Sequence, residues 1–255
     1  LITGTLVAGG DLAWIAALMI ASLVGAAIWG QMVVGRPTSL RPFGYFGSVV
    51  GVGSVALVAW AAGVGVGRLA AAAAVAAPWV QLIGRKRCLV QGCCHGAPVP
   101  HDRAWLGIRC VNEQSRVVRL SSLRAVPIHA TPFYSMVANA LLGAMLLRLA
   151  LLRAPIVIII GAYFVLAGMS RFVEEAYRGE PHTPVLGGLR LYQWLAAGMV
   201  LVGAVVMMLP PGDAPWPTPR LTAGVVAVAL VAFVLHAFAM GVDFPASSRR
   251  FSRLA

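Results

Sequence analysis

Apolar runs long enough to cross a lipid bilayer recur along this 255-residue chain, and they constrain its fold more than any other feature. A helix needs about 20 apolar residues to cross the hydrocarbon core. Hydrophobic residues make up 60% of the chain and charged residues 11%, and the runs are apolar on every side, which excludes an ordinary soluble domain. We therefore predict an all-α, polytopic membrane bundle of about seven transmembrane helices, over residues 12–30, 44–66, 69–84, 130–152, 155–170, 189–209 and 221–241.

The remaining segments divide the chain into three predicted regions. Residues 1–43 form an N-terminal span and loop, which we expect to be a fragment of a longer N-terminus because the chain does not begin with Met. Residues 44–210 form the membrane core, with a small polar flap at 97–128 between its third and fourth helices. Within the flap, residues 105–109 and 116–120 alternate enough to predict short strands or an interfacial flap. Residues 211–255 add a C-terminal span and a basic tail.

The charge pattern favours a phospholipid partner. The net charge is +12, and every basic residue except Lys86 is an arginine, whose guanidinium group forks onto phosphate oxygens. These cations flank membrane segments, which favours anionic headgroups and argues against nucleic acid as a partner. The orientation in the membrane stays open, because arginines that bind a ligand would distort any positive-inside count.

Residues 84–96 form the most informative polar cluster, with three cations, three thiols and an imidazole at the end of an apolar helix. Ionisable groups at membrane depth are costly and often mark a functional site. On a helix, Arg85, Cys88 and Gly92 would share one face. Simple anchoring of the helix end at the interface stays open as an alternative.

Two further clusters are predicted on the same side of the membrane. His129 precedes a helix for which Thr131 is a plausible N-cap, and helix N-termini favour anions. A purely structural histidine stays open there. Arg171, Glu175 and Arg178 follow at i, i+4 and i+7, so they line one helix face. Either Arg171 and Glu175 neutralise each other, or the Glu175 carboxylate holds the Arg171 guanidinium in place for a ligand.

The cysteines allow several interpretations. Cys88, Cys93, Cys94 and His95 suggest a metal site, but their spacing suits neither zinc nor a C-x-x-C redox motif. A Cys94–Cys110 disulfide could hold the flap down in an oxidising compartment. Buried thiols that fill space are the commonest explanation, and covalent catalysis by Cys93 or Cys94 is a minority one. We expect no metal and no cofactor.

Taken in order, these motifs resemble the prolipoprotein diacylglyceryl transferase family over roughly residues 40–210. The corresponding positions are Arg85, Cys88, Gly92 and Gly96 in the signature helix end; His129, Phe133 and Tyr134 in the His-Pro motif; Arg171, Glu175 and Arg178 in the later helix; and Gln193 at the start of the last core helix.

The chain also departs from the family pattern. Phe46 replaces the family's essential His before Gly-Gly, Cys88 replaces its usual Asn, and Cys93 replaces an acidic residue. Ser135 stands where the family has Glu after its Tyr, and the span at 221–241 is an addition. The arginines expected to bind anions are kept, whereas part of the acid–base equipment is not.

The resemblance implies a multi-pass enzyme of the bacterial plasma membrane. Such an enzyme moves a diacylglyceryl group from phosphatidylglycerol to the cysteine thiol of a lipobox-containing prolipoprotein. By resemblance, the catalytic residues are Arg85, His129, Arg171 and Glu175, and the substrate-binding residues are Cys88, Gly92, His95, Gly96, Tyr134, Arg178 and Gln193. With Phe46 unable to act as a base, the resemblance leaves His129 or His95 for that task. The alternative function is a non-catalytic or differently catalytic phospholipid-binding protein, such as a lipid carrier or a scramblase.

Overall fold

The computed structural model describes residues 12–33, 44–92, 94–113, 115–179, 184–211 and 222–240. This part of the chain is mostly helical with few strands, as predicted for an all-α protein. Its α-helices are α1 (Leu12–Val33), α2 (Gly44–Ala61), α3 (Val66–Gln91), the short α4 (Arg116–Ser121), α5 (Thr131–Leu151), α6 (Ile156–Ala176), α7 (Leu191–Met208) and α8 (Ala223–Met240).

Four helices in the described residues are long and apolar enough to cross a membrane, namely Val66–Lys86, Thr131–Leu151, Ile156–Ala176 and Leu191–Met208. Large apolar side chains point outward from them, such as Leu141 (69% exposed), Leu201 (68%) and Met208 (84%). A bilayer accepts such side chains, whereas water would favour their burial. The prediction of a membrane protein is therefore confirmed, and the count of seven spans stays a prediction.

The chain forms two compact units. The first comprises Leu1–Ala73 and Ala214–Ala255, and in it α1 packs on α2 where Gly25 and Gly47 meet. The second comprises Ala74–Asp213 and contains the end of α3 together with α5, α6 and α7. In this second unit α6 packs extensively on α7 and also contacts α5. The buried side chains of Ile128, Leu146 and Ile159 belong to its core.

The polar segment 97–128 lies between α3 and α5. A 3-10 helix, His101–Leu106, leads into strand β1 (Gly107–Arg109), which pairs antiparallel with β2 (Pro127–His129). The expectation of a strand at 116–120 is wrong, because these residues belong to α4. Val117 is buried while Arg116 and Arg119 are exposed, so the spacing of apolar and charged residues fits one helical turn.

Helix α3 continues past its apolar part into the basic cluster, as predicted. It passes through Arg85 and Cys88 and ends at Gln91. Gly92 follows with φ +65°, a left-handed conformation that favours glycine and ends a helix. Between α6 and α7, β3 (Val185–Leu186) and β4 (Leu189–Arg190) form a hairpin that leads directly into α7.

Several predicted features lie outside the described residues. They are the loop arginines Arg36 and Arg41, the thiol of Cys93, most of the linker 210–220 and the basic tail 247–255. The backbone of Phe46 belongs to α2, but its side chain is not among those described.

Candidate active site

A dense group of charges gathers around the last two turns of α6. We call it the arginine cluster, and its members are Arg85, Arg171, Glu174, Glu175, Arg178 and Arg190. Glu174 is its centre. Its Oε1 lies 3.0 Å from Nη1 of Arg171, 3.3 Å from Nη2 of Arg85 and 3.8 Å from Nε of Arg178. One carboxylate oxygen therefore contacts arginines from two helices, α3 and α6.

Glu175 forms the deeper half of the cluster and is fully buried. Its Oε2 lies 2.9 Å from Nη2 of Arg171 and 3.5 Å from Nη1 of Arg178. Nη1 of Arg190 approaches its Oε1 to 4.0 Å. The guanidinium of Arg171 also stands over the ring of Tyr192, 5.0 Å from the centroid, in a cation–π contact. The predicted pairing of Arg171 with Glu175 is present in the structure, and Arg178 joins it.

The arginine cluster has more cations than carboxylates. Arg85, Arg171, Arg178 and Arg190 face two glutamates, so four positive charges minus two negative charges leave a formal charge of +2. Charge of one sign is costly in surroundings of low dielectric constant unless a counter-charge is present. The cluster is therefore suited to binding an anion.

The cluster opens onto a cleft with about 290 Å³ of open space. Arg85, Arg171 and Glu174 line it on one side. The rest of the wall combines neutral polar and small apolar residues from α3, α5 and α6, which are Gln81, Ser135, Ala138, Asn139, Leu142, Ala167 and Ser170. This arginine cleft is charged where the guanidiniums lie, and the rest of its wall mixes neutral polar and apolar side chains.

A second pocket, of about 200 Å³, lies beside the polar segment. We call it the thiol–imidazole pocket, because Cys88, Cys110, His95 and His129 all line it, together with Gly92. The prediction that Arg85, Cys88 and Gly92 share one face therefore needs correction. Residues at i and i+3 differ by about 60° around a helix, and here Arg85 lines the cleft while Cys88 and Gly92 line the other pocket.

Backbone pairing around Gly96 joins the chain at His129 to the chain at Arg178. The Gly96 N–H donates to the carbonyl of His129 at 3.1 Å, and Gly96 also bridges to Arg178. On either side, the Ala97 N–H donates to the carbonyl of Tyr177, and the Gly179 N–H donates to that of His95. A Cβ at Gly96 would collide with the His129 backbone. Gly96 thus allows a close approach of two backbone segments, as expected for a glycine.

His129 is surrounded by aromatic rings. Its Nδ1 lies 3.3 Å from the hydroxyl of Tyr134, and its ring centroid lies 4.9 Å from that of Tyr177. Thr131, the predicted N-cap, instead donates to the carbonyl of Cys94 at 2.7 Å, and Ala130 occupies the cap position of α5. The start of α5 is thus joined to the chain just after α3.

His95 is buried and both its ring nitrogens have partners. Nδ1 lies 3.0 Å from the carbonyl oxygen of Gly96, and Nε2 lies 2.7 Å from Oγ of Ser121 in α4. A carbonyl oxygen can only accept, so Nδ1 donates to Gly96, and Nε2 shares the second hydrogen bond with the Ser121 hydroxyl. The ring thereby connects α4 to the chain that follows α3.

Gln193 lies buried in the first turn of α7. Its Oε1 accepts a hydrogen bond of 3.0 Å from the backbone N–H of Arg190, which satisfies the start of the helix. Nη2 of Arg190 in turn donates to the carbonyl of Arg178 at 2.8 Å. The β3–β4 hairpin is joined in this way to the end of α6.

The described cysteines Cys88, Cys94 and Cys110 are not disulfide-bonded, so the Cys94–Cys110 bridge is not formed. Among the described residues, no group of three or more His, Cys, Asp or Glu side chains is placed to hold a metal ion. Cys93, which belonged to the considered metal set, lies outside those residues.

A family model described as prolipoprotein diacylglyceryl transferase matches residues 40–209, well over half of the chain. The chain belongs to the prolipoprotein diacylglyceryl transferase family. This family consists of transferases that act in lipoprotein biosynthesis, and the suspected resemblance is confirmed. The matched range contains the arginine cluster, both pockets and the polar segment. No curated protein matches the chain.

Sequence reasoning missed two members of the arginine cluster, Glu174 and Arg190. Glu174 stands three residues after Arg171, a spacing at which helical side chains meet, so the Arg171 contact could have been found. Its contact with Arg85 depends on how α3 packs against α6, which the spacing does not specify. The contact between Arg190 and Glu175 likewise depends on the return of the chain through β3 and β4.

Proposed function

We propose that this protein transfers a diacylglyceryl group from an anionic phospholipid, such as phosphatidylglycerol, to the cysteine thiol of a lipobox-containing lipoprotein precursor. We place it in the bacterial plasma membrane as a multi-pass protein. The observation that carries the proposal is the positive excess of the arginine cluster at the wall of a cleft between apolar helices. Guanidinium forks match phosphate oxygens, and the apolar helices suit acyl chains.

The reaction would be a displacement at carbon. The acceptor thiolate attacks the glycerol carbon that bears the phosphate, a C–S bond forms, and the C–O bond breaks. Glycerol phosphate leaves with the bonding electrons. Arg85 and Arg171 would offset the negative charge that develops on this leaving group, while Glu175, which also contacts Arg178, holds Arg171 in place.

The thiol proton needs an acceptor, and we assign this role to His129. The ring lines the thiol–imidazole pocket, and Tyr134 lies within hydrogen-bond distance of its Nδ1. His95 is less suited, because the carbonyl of Gly96 and the hydroxyl of Ser121 already occupy both of its nitrogens.

A second candidate function is phospholipid binding without transfer, as in a lipid carrier or a scramblase. Phe46 in place of the family histidine favours it, as does the engagement of both His95 nitrogens. The arginine cluster would serve this function equally well, so the two candidates differ only in chemistry.

The deciding experiment measures transfer of labelled diacylglycerol from phosphatidylglycerol to a lipobox peptide by the purified protein in detergent. Arg85→Ala and Arg171→Ala should each lower the rate about 100-fold or more, since each removes a donor to the leaving group. Arg148→Ala is the matched control, because Arg148 is an exposed arginine near the end of α5.

Binding of phosphatidylglycerol is measured on the same preparations. Transfer that survives both arginine substitutions would contradict the proposed mechanism. Binding that depends on Arg85, with no transfer by the wild-type protein, would instead support the non-catalytic function.

A further inference from the structure

Glu174 differs from the other acidic residue of the arginine cluster in what it connects. Glu175 contacts Arg171 on its own helix, Arg178 just beyond the end of that helix, and Arg190 from the hairpin. Glu174 alone contacts Arg85, so it is the direct ionic connection between α3 and α6 in the described cluster. Its side chain is only 4% exposed, and it lines the arginine cleft beside the two guanidiniums.

Two guanidiniums that face one cleft repel each other, and the repulsion is strong where the dielectric constant is low. A carboxylate within 3.0 and 3.3 Å of both offsets this repulsion and fixes their directions. Long side chains held before the substrate arrives lose little further freedom in the transition state. Partners that orient the groups touching a substrate commonly affect a site 10- to 100-fold, as metal centres illustrate.

We propose that Glu174 is a positioning residue that aligns Arg85 and Arg171 on the phosphate of the bound phospholipid. This inference rests on the proposed function, since it names what keeps the phosphate-binding pair in place. It assigns Glu174 no contact with the reacting atoms. Glu174 affects catalysis only by orienting the two arginines.

The first test separates kcat from KM in the transfer assay. Glu174→Gln keeps the size and an acceptor oxygen but removes the charge, and it should lower kcat about 10- to 100-fold with a smaller rise in KM, of about fivefold. Glu174→Asp keeps the charge on a shorter stem and should recover part of kcat. Glu113→Gln is the matched control, since Glu113 makes an exposed ion pair of 3.2 Å with Arg124.

A kcat within about twofold of wild type in folded Glu174→Gln overturns the proposal, because a structural ion pair alone predicts that result. If Glu174→Gln does not yield monodisperse protein, Glu174→Asp decides in its place. A wild-type rate in Glu174→Asp then counts against a positioning role, and a reduced kcat with a smaller change in KM supports it.

The second test does not need catalysis. The affinity for a fluorescent phosphatidylglycerol is measured in detergent for the wild type, Glu174→Gln, Arg85→Gln and the double variant. Residues that act as a unit give non-additive effects, so we expect the double variant to deviate from additivity by about fivefold or more. Additivity within about twofold overturns the proposal.

If the wild type binds lipid but transfers nothing, only the proposed reaction fails, and this cycle still decides the role of Glu174. A wild type that binds no phosphatidylglycerol contradicts both proposals.

Discussion

Nη2 of Arg171 lies 2.9 Å from Oε2 of Glu175, one helical turn further along α6, and the carboxylate is wholly buried. The same oxygen lies 3.5 Å from Nη1 of Arg178. Removal of this one carboxylate would leave two buried or largely buried cations without that partner. The stability of the cluster therefore depends on Glu175 more than on any surface pair.

We expect Glu175→Ala to lower the free energy of unfolding by about 3–5 kcal/mol, because it breaks a buried ion pair from one side. Unfolding in mixed detergent micelles measures the loss. Glu113→Ala, which removes the exposed partner of Arg124, is the control and should leave stability unchanged. Equal effects of the two substitutions would show that the burial of Glu175 does not matter energetically.

Gly96→Ala should destabilise the protein by about 1–3 kcal/mol, because the added methyl group would collide with the His129 backbone and force the strands apart. Gly198→Ala in α7 is the matched control. A Cβ there meets open space, so the better helix propensity of alanine should leave stability equal or raise it by up to about 1 kcal/mol. The thermal unfolding of both variants in detergent decides, and a neutral Gly96→Ala would contradict the close approach.

The two histidines should respond differently to substitution. Ser121→Ala should lower thermal stability, and His95→Ala should lower it more, because Ser121→Ala removes one hydrogen bond of the His95 ring and His95→Ala removes both together with the buried ring. Both should keep kcat for transfer within about threefold of wild type. His129→Ala should lower kcat about 100-fold or more with little loss of stability, as expected for a general base.

The opposite result would assign the general-base role to His95 and the structural role to His129. A large loss of kcat in His95→Ala, without a matching loss in Ser121→Ala, would identify His95 as the base. It would also require its hydrogen bond to Gly96 or Ser121 to open during the reaction.

The sequence predicted the long helices well because each depends on one local property, a run of apolar residues. It also predicted that α3 continues into the basic cluster and that Arg171 meets Glu175, since i and i+4 residues meet on any helix. The prediction from sequence failed at residues 116–120. The short alternation of apolar and charged residues there is typical of a strand, but the segment is one helical turn that buries Val117.

The division of the site could not be predicted from side-chain spacing. Backbone hydrogen bonds place Gly96 between His129, which lines the thiol–imidazole pocket, and Arg178 of the arginine cluster. Such pairing joins segments distant in sequence, and their residue types carry little information about it. The contact of Glu174 with Arg85 was missed for the same reason, because it depends on how two helices pack.

Gln193 offers a test of whether a residue at a family position binds substrate or supports the fold. Gln193→Ala should cost about 0.5–2 kcal/mol of stability, because the Arg190 backbone N–H at the start of α7 loses its acceptor. Gln193→Glu keeps an acceptor oxygen at that position and should retain most of the stability. The KM for phosphatidylglycerol should stay unchanged in both variants, since the side chain is buried against the chain that precedes α7. A raised KM with unchanged stability would instead place Gln193 in contact with the lipid, and the hydrogen bond to Arg190 would then have to be broken in the bound state.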